Sequence, residues 1–353
     1  MTTMLRRGSA APDVPLTMRA VVFHKPNEFG IDTVDVPRLV PGQVVVRVRA
    51  SMICASDQKI LAGKFSTLYP HIPGHEFSGE IAASESEAWP VGRRVGVEVH
   101  VGCGVCVRCR EGMYTLCLNY GKRETGHAHV GFTIPGGLAQ FAAVPTAALH
   151  ALPDRISFEE GAWTDNLGIA LWALERGRLA AGDHVIVVGS GAIGLCATQL
   201  ARALGAGRVT LVGRGARLGR GRELADEAVA EADSARLEGT ADLVVEFAGT
   251  AEAAREAIGM ARRGGRVVLG GATGAGVELS GVDLSTIVRG NLDVLGSLAN
   301  PRGASARALA LLADGRVSVG ALITHHYPLE AFRDAWKTFA ERREGAIRVM
   351  LAP

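Results

Sequence analysis

No run of apolar residues in this 353-residue chain approaches the ~18–20 that a membrane-spanning helix needs, so no span is expected. Neither sign of charge is in excess. Thirty-eight basic residues nearly cancel 36 acidic ones, leaving a formal net charge of +2. No basic run is dense enough to hold nucleic acid or an acidic membrane surface. The first 17 residues carry Arg6 and Arg7 but no apolar segment behind them. That excludes a secretory signal and leaves a loose extension, with the cytoplasm as the expected compartment. Aromatic residues are scarce, at 5%, which argues against a wide aromatic-lined pocket. Cysteines spaced for a disulfide framework are missing too. Four of the six fall at Cys103, Cys106, Cys109 and Cys117, and such crowding in an intracellular chain points to metal.

What is present is glycine, 45 residues of it, and enough apolar residues for two domains with separate cores. The chain is organised around His184-Val185-Ile186-Val187-Val188-Gly189-Ser190-Gly191-Ala192-Ile193-Gly194-Leu195. Four consecutive apolar β-formers predict a strand buried on both faces, and the helix that follows is expected over Leu195 to Leu204. Between them lies a Gly-x-Gly-x-x-Gly turn. Gly189 suits the tight turn, Gly191 lets a pyrophosphate approach the backbone, and Gly194 allows helix to pack closely on strand. The N–H groups of Ala192, Ile193 and Gly194 then face the anion with the positive end of the helix behind them. Strands and helices alternate onward: a strand at Arg208 to Val212, a helix near Arg222 to Ala232, a strand at Asp242 to Phe247, a helix from Ala251 to Arg262, then strands at Gly265 to Gly270 and Asp293 to Ser297. This pattern predicts a doubly wound parallel sheet, a Rossmann domain. Cys196, inside its first helix, reads as a small core residue.

The segment before residue 150 is β-rich, with alternation at Met18 to His24 and at Val44 to Ala50. Two of its loops bring up Cys54-Ala55-Ser56-Asp57 and Pro73-Gly74-His75-Glu76. Thiolate and imidazole are the ligands Zn2+ prefers, so Cys54 and His75 together suit a zinc site. The four clustered cysteines would close a tetrahedral thiolate site with no open position, hence a structural zinc. A redox or nucleic-acid-binding zinc knuckle is the rival there, without the basic and aromatic setting that would support it. Asp165 stands in an otherwise apolar helical stretch. A cap, a polar partner or a metal would each satisfy it.

On these motifs and their order, the chain from about Met18 onward resembles the zinc-dependent medium-chain dehydrogenases, in particular the sorbitol and threonine dehydrogenase branch. The resemblance implies a GroES-like catalytic domain at 18–156, interrupted by a Rossmann domain at 157–299, with 300–353 returning to the first. It implies one catalytic and one structural zinc, an active site in the cleft between domains, and a homodimer or homotetramer. Carried over by motif, Cys54 and His75 are catalytic zinc ligands, and Glu76 is the adjacent acid that approaches the metal. Asp165 falls where the family has a Cys or Glu ligand, Asp57 orients His75, and Ser56 relays the proton. Lys59 stands where alcohol dehydrogenases of the family continue that relay with histidine.

The implied reaction moves a hydride between a nicotinamide and an alcohol/ketone pair, expected to be a polyol, sugar or aminocyclitol hydroxyl. The alternatives are an NAD-dependent primary alcohol/aldehyde dehydrogenase, a zinc-free quinone or enoyl reductase, and a non-enzymatic dinucleotide-binding protein. Cofactor choice is read at the end of the second Rossmann strand, where NAD-dependent folds keep an acid. Gly213 stands there, followed by Arg214 and Arg217, and the pattern predicts NADP(H).

Overall fold

The computed structural model describes residues 14–65, 67–273 and 276–353; most of the expected N-terminal extension lies outside them. The chain divides into two compact units. One holds the residues through Asp165 together with Ile323–Arg343 and Arg348–Pro353; the other holds Asn166–Leu322 with Glu344–Ile347.

The first unit is built on the strand Gln43–Met52, whose alternating valines serve two cores. Val44, Val46 and Val48 pack with Phe77, Ile81, Val95 and Val97, while Val45 turns to Met18, Ala20 and Phe141. Each such fully buried side chain contributes about 1.5–3 kcal/mol of transfer free energy. Among the described residues the strands run in the order Ile323–Pro328, Arg348–Ala352, Gln43–Met52, Glu76–Ser84, Arg94–Val97, Leu149–Ala151, with Phe141–Pro145 also on Gln43–Met52. The register carries the function. Met52 pairs with Glu76 on one side and with Met350 on the other. Three segments distant in sequence, around Cys54, His75 and Arg348, therefore end at one place.

The second unit contains, among the described residues, a six-stranded parallel sheet. Its order is Glu227–Ala230, Arg208–Gly213, His184–Val188, Ala241–Glu246, Ala261–Leu269, Asp293–Gly296, so the first strand in the chain is central. That is the Rossmann order, reversing direction beside His184–Val188. Val185 to Val188 are all buried, as a strand covered by helices on both faces requires.

Two expectations change, and one strand appears that none had addressed. Residues 222–232 do not form a helix. The helix lies earlier, at Gly215–Gly221, and Glu227–Ala230 is a strand whose parallel pairing from Thr210↔Glu227 to Gly213↔Ala230 overrides the helical preference of its Glu and Ala. Ile323–Pro328 is a strand that the sequence concealed, because its side chains are mostly half-exposed. The return to the first unit begins at Ile323 and not at residue 300, and the earlier boundary falls at Asp165 and not at 156. The helix Ala304–Ala313 stays with the second unit because it packs on the helix Thr164–Arg176 at Gly168, where an added Cβ would lie 2.4 Å from Ser305 Oγ.

Candidate metal centres and dinucleotide turn

Cys54 is the N-cap of the short helix Ala55–Leu61, and His75 ends the loop leading into the strand Glu76–Ser84. Gly74, at φ +96°, makes the turn that aims His75, with Leu138 N only 2.5 Å from where a Cβ would stand. Cys54, His75 and Glu76 present ligand atoms that all lie within 4.8 Å of one another. One carboxylate orients two of these residues. Asp57 Oδ2 accepts the Cys54 backbone N–H at 2.8 Å, and Asp57 Oδ1 faces His75 Nδ1 at 3.6 Å, leaving Nε2 for the cluster. Burial alone would push the His75 pKa down. Attraction to Cys54, then the nearby Asp57 carboxylate, outweighs it and holds the imidazole well above its ordinary value. The same negative surroundings would favour a divalent metal, whose binding displaces that proton.

Glu76 is nearly fully buried and faces His75 Nε2 at 3.9 Å. Its counter-ion is Arg348, also buried, whose guanidinium donates to Glu76 Oε1 at 2.9 Å and to the Ile53 carbonyl at 3.2 Å, and lies over Trp163. The signal for Arg348 was in the sequence: an arginine inside the apolar strand Ile347-Arg348-Val349-Met350-Leu351 needs a buried partner. Ser56 is half-buried in the first turn of the same short helix as Asp57. Asp165 is buried in the first turn of Thr164–Arg176, but the metal-ligating group that the structure forms is Cys54, His75 and Glu76, without it. Despite the low aromatic content, Phe132 tilts against the His75 ring at 4.9 Å, Phe65 sets its edge on Phe132 at 5.8 Å, and Lys59 lies over Phe65 at 6.0 Å.

The four-cysteine lobe brings Cys103, Cys106, Cys109 and Cys117 within 4.8 Å of one another. Sulfurs held at about 2.3 Å from a tetrahedral zinc are separated by about 3.8 Å. The Cys103–Cys109 and Cys106–Cys117 separations are 3.9 and 4.0 Å. The lobe also supplies N–H groups to its sulfurs. The Asn119 amide donates to Cys103 Sγ at 3.3 Å and the Asn119 backbone N–H to Cys117 Sγ at 3.4 Å. With the Asn119 bond as the main cause, the Cys103 thiol is pulled down to about 6, while burial pushes Cys109 up to about 12. Asn119 had no signal of its own in the spacing of the cysteines.

At the dinucleotide turn Gly189 has φ +111°, and an added Cβ would lie 2.9 Å from Ala248 N. Gly194 meets the Gly189 carbonyl at 1.8 Å on the same test, whereas Gly191 opens to free space. Gly191 caps the helix Ala192–Ala203, so the N–H groups of Ala192, Ile193 and Gly194 stand at its positive end. Gly213, the last residue of Arg208–Gly213, is buried, and a Cβ there would lie 2.3 Å from Ser190 Oγ. Arg214 is exposed, with Glu231 at 3.6 Å. Arg217 is committed elsewhere, its Nε and Nη2 donating to the Ala346 carbonyl at 2.9 and 2.6 Å.

Residues 40–154 match the alcohol dehydrogenase GroES-like domain family and residues 192–314 the zinc-binding dehydrogenase family. Over 360 residues the chain is 29% identical to sorbitol dehydrogenase of Bacillus subtilis, covering 96% of this chain and 98% of that one. Over 377 residues it is 33% identical to erythritol/L-threitol dehydrogenase of Mycolicibacterium smegmatis, covering 96% and 99%. A protein assigned as a zinc-binding dehydrogenase of Sinorhizobium meliloti, solved bound to NADP, shares the fold with a TM-score of 0.88 at 28% identity, covering 96% and 99%.

Proposed function

Because this chain belongs to the zinc-dependent medium-chain alcohol dehydrogenase superfamily and is an oxidoreductase of that type, we propose that it moves a hydride between NADP(H) and a secondary alcohol/ketone pair, the alcohol being a polyol, sugar or aminocyclitol hydroxyl. The observation that carries the chemistry is the buried convergence of Cys54, His75 and Glu76 on the support of Asp57. Cys54 and His75 hold the catalytic zinc, with Glu76 or Asp165 as the further carboxylate, and the four-cysteine lobe holds a structural one. When bound, the catalytic zinc supplies a Lewis acid that lowers the pKa of an alcohol or polarises a ketone carbonyl. The chain's own residues do the rest. Asp57 fixes the tautomer and direction of His75, Arg348 holds Glu76 in place, and Ser56 passes the hydroxyl proton outward. The substrate class rests on the two relatives that act on sorbitol and on erythritol/L-threitol.

NADP(H) follows from Gly213. The position where an acid would repel the 2′-phosphate is closed to any side chain by Ser190, and Arg214 stands beside it with only a loose hold on Glu231. Arg217 is the second candidate, tied back to Ala346. We expect wild type to favour NADP over NAD in kcat/KM and Arg214→Ala to lose roughly a factor of ten of that preference, the worth of one charge-assisted contact. Gly213→Asp alone should misfold the turn. Combined with Ser190→Gly it should be tolerated and turn the preference toward NAD. Equal use of both cofactors by wild type sinks the NADP assignment.

No helix among the described residues is long and apolar enough to cross a membrane, and a lobe of four cysteines holding zinc suits a reducing cytoplasm. Leu284 and Val288, one turn apart on the helix Leu284–Gly290, are 72% and 77% exposed, which supports self-association through that face. Sedimentation should give at least twice the 36.9 kDa of one chain.

A further inference from the structure

The second unit holds a cavity of about 470 Å3 at the C-terminal end of the helix Thr164–Arg176, lined in part by Trp172, Glu175, Arg176, Arg178, Arg302 and Arg307. None of these residues belongs to the two cysteine sites or to the dinucleotide turn. Two of the four arginines are satisfied internally. Arg307 forks onto Glu175 at 2.6 and 3.0 Å and also donates to the Arg302 carbonyl at 2.6 Å, while Arg178 pairs with Asp293. The other two are not. Arg176 gives only Nε, to the Gly296 carbonyl at 3.3 Å, and the Arg302 guanidinium has no hydrogen-bond or ion-pair partner among the described residues. Four guanidiniums against the carboxylates of Glu175 and Asp293 leave a surplus of two positive charges around one opening.

Left to themselves, like charges around one concavity repel, and exposed arginines usually turn away into solvent. Two of them start from an unusual backbone. Arg178 and Arg302 are both in the left-handed region, at φ 52° and 58°, which side-chain-bearing residues enter at a cost. The nearly buried Trp172 lines the same cavity and supplies an apolar surface. Each unpaired guanidinium offers a planar fork suited to two oxygens of a phosphate or carboxylate. The volume fits a small molecule.

We propose that this cavity binds a small polyanion carrying at least two phosphate or carboxylate groups, received by Arg176 and Arg302 and screened at the rim by Arg178. The site is independent of the dinucleotide turn and of the dehydrogenase reaction. The two sources of this chemistry are told apart by two probes, inorganic pyrophosphate and citrate.

The test is isothermal titration calorimetry of the full zinc-loaded chain with each probe. Three proteins are compared: wild type, Arg176→Gln/Arg302→Gln, and Arg214→Gln, which removes a guanidinium from the dinucleotide end. Wild type should bind pyrophosphate or citrate, whichever is tighter naming the ligand class. The double variant should lose at least tenfold in affinity with unchanged thermal unfolding in the absence of anion, and Arg214→Gln should keep that binding. Equal affinity in wild type and double variant, or loss confined to Arg214→Gln, would overturn the assignment.

Discussion

Arg348 and Glu76 are 4% and 1% exposed, and each is the other's buried counter-charge. Removing one partner leaves the other charge buried without its strongest counter-ion, which costs more than the pair itself contributes. Arg348→Met should therefore lose about 3–5 kcal/mol in denaturant unfolding, and adding Glu76→Gln should recover part of that loss by removing the stranded charge. No recovery in the double variant would mean that Arg348 works mainly through the Ile53 carbonyl and Trp163. At this scale the motifs were most legible. Cys54, His75 and Glu76 announce themselves by residue type and spacing, because few side chains can hold a metal, whereas Asp57 was reached only through the family resemblance. Arg348, 272 residues from its partner, could be suspected from its apolar strand, but its partner could not be named. The crowding of Gly213 by Ser190 was hidden for the same reason: contact between two turns follows from sheet register, not from local sequence.

In the first unit, the short strands His100–Val101 and Ala128–His129 pair and stack the rings of His100 and His129 at 4.0 Å, with Phe132 against His129 at 3.9 Å. Burial pushes His100 down to about 3, with His127 and His75 adding to the effect, and it lowers His129 well below its usual range. Unfolded, these imidazoles take a proton near 6.5; folded, His100 refuses one until about 3. The stability in question is thus fully present above about 6.5 and drains as pH falls toward 3. At pH 4.5 the loss from His100 alone should be roughly 2–3 kcal/mol. Urea midpoints measured across this range should fall more gently for His100→Phe, which keeps the stack and removes the proton site. An unchanged acid limb would show that His100 is not held neutral. Element prediction failed at residues 222–232 for a related cause. Glu and Ala favour helix, but the sheet edge beside Arg208–Gly213 decided the matter.

Across the whole chain, the alternation of strand and helix from residue 184 onward made the Rossmann sheet readable, and the β-rich start made the first unit readable as a class. The limits of each unit were not. They depend on which helix packs on which, and Gly168 meeting Ser305 is a fact of surface fit with no sequence signature. The central claim is that the chain carries two zinc sites of different kind, one catalytic at Cys54 and His75 and one structural in the four-cysteine lobe. Cys109→Ser should lower thermal stability and lose activity only in proportion to folded protein, since three thiolates hold a structural zinc incompletely. The most direct measurement is zinc per chain in the purified protein and in His75→Ala, taken together with NADP-dependent oxidation of a polyol panel. We predict about two zincs in wild type and about one in a folded His75→Ala that no longer turns over. Two zincs with near-native activity in His75→Ala, or none in active wild type, would contradict the account.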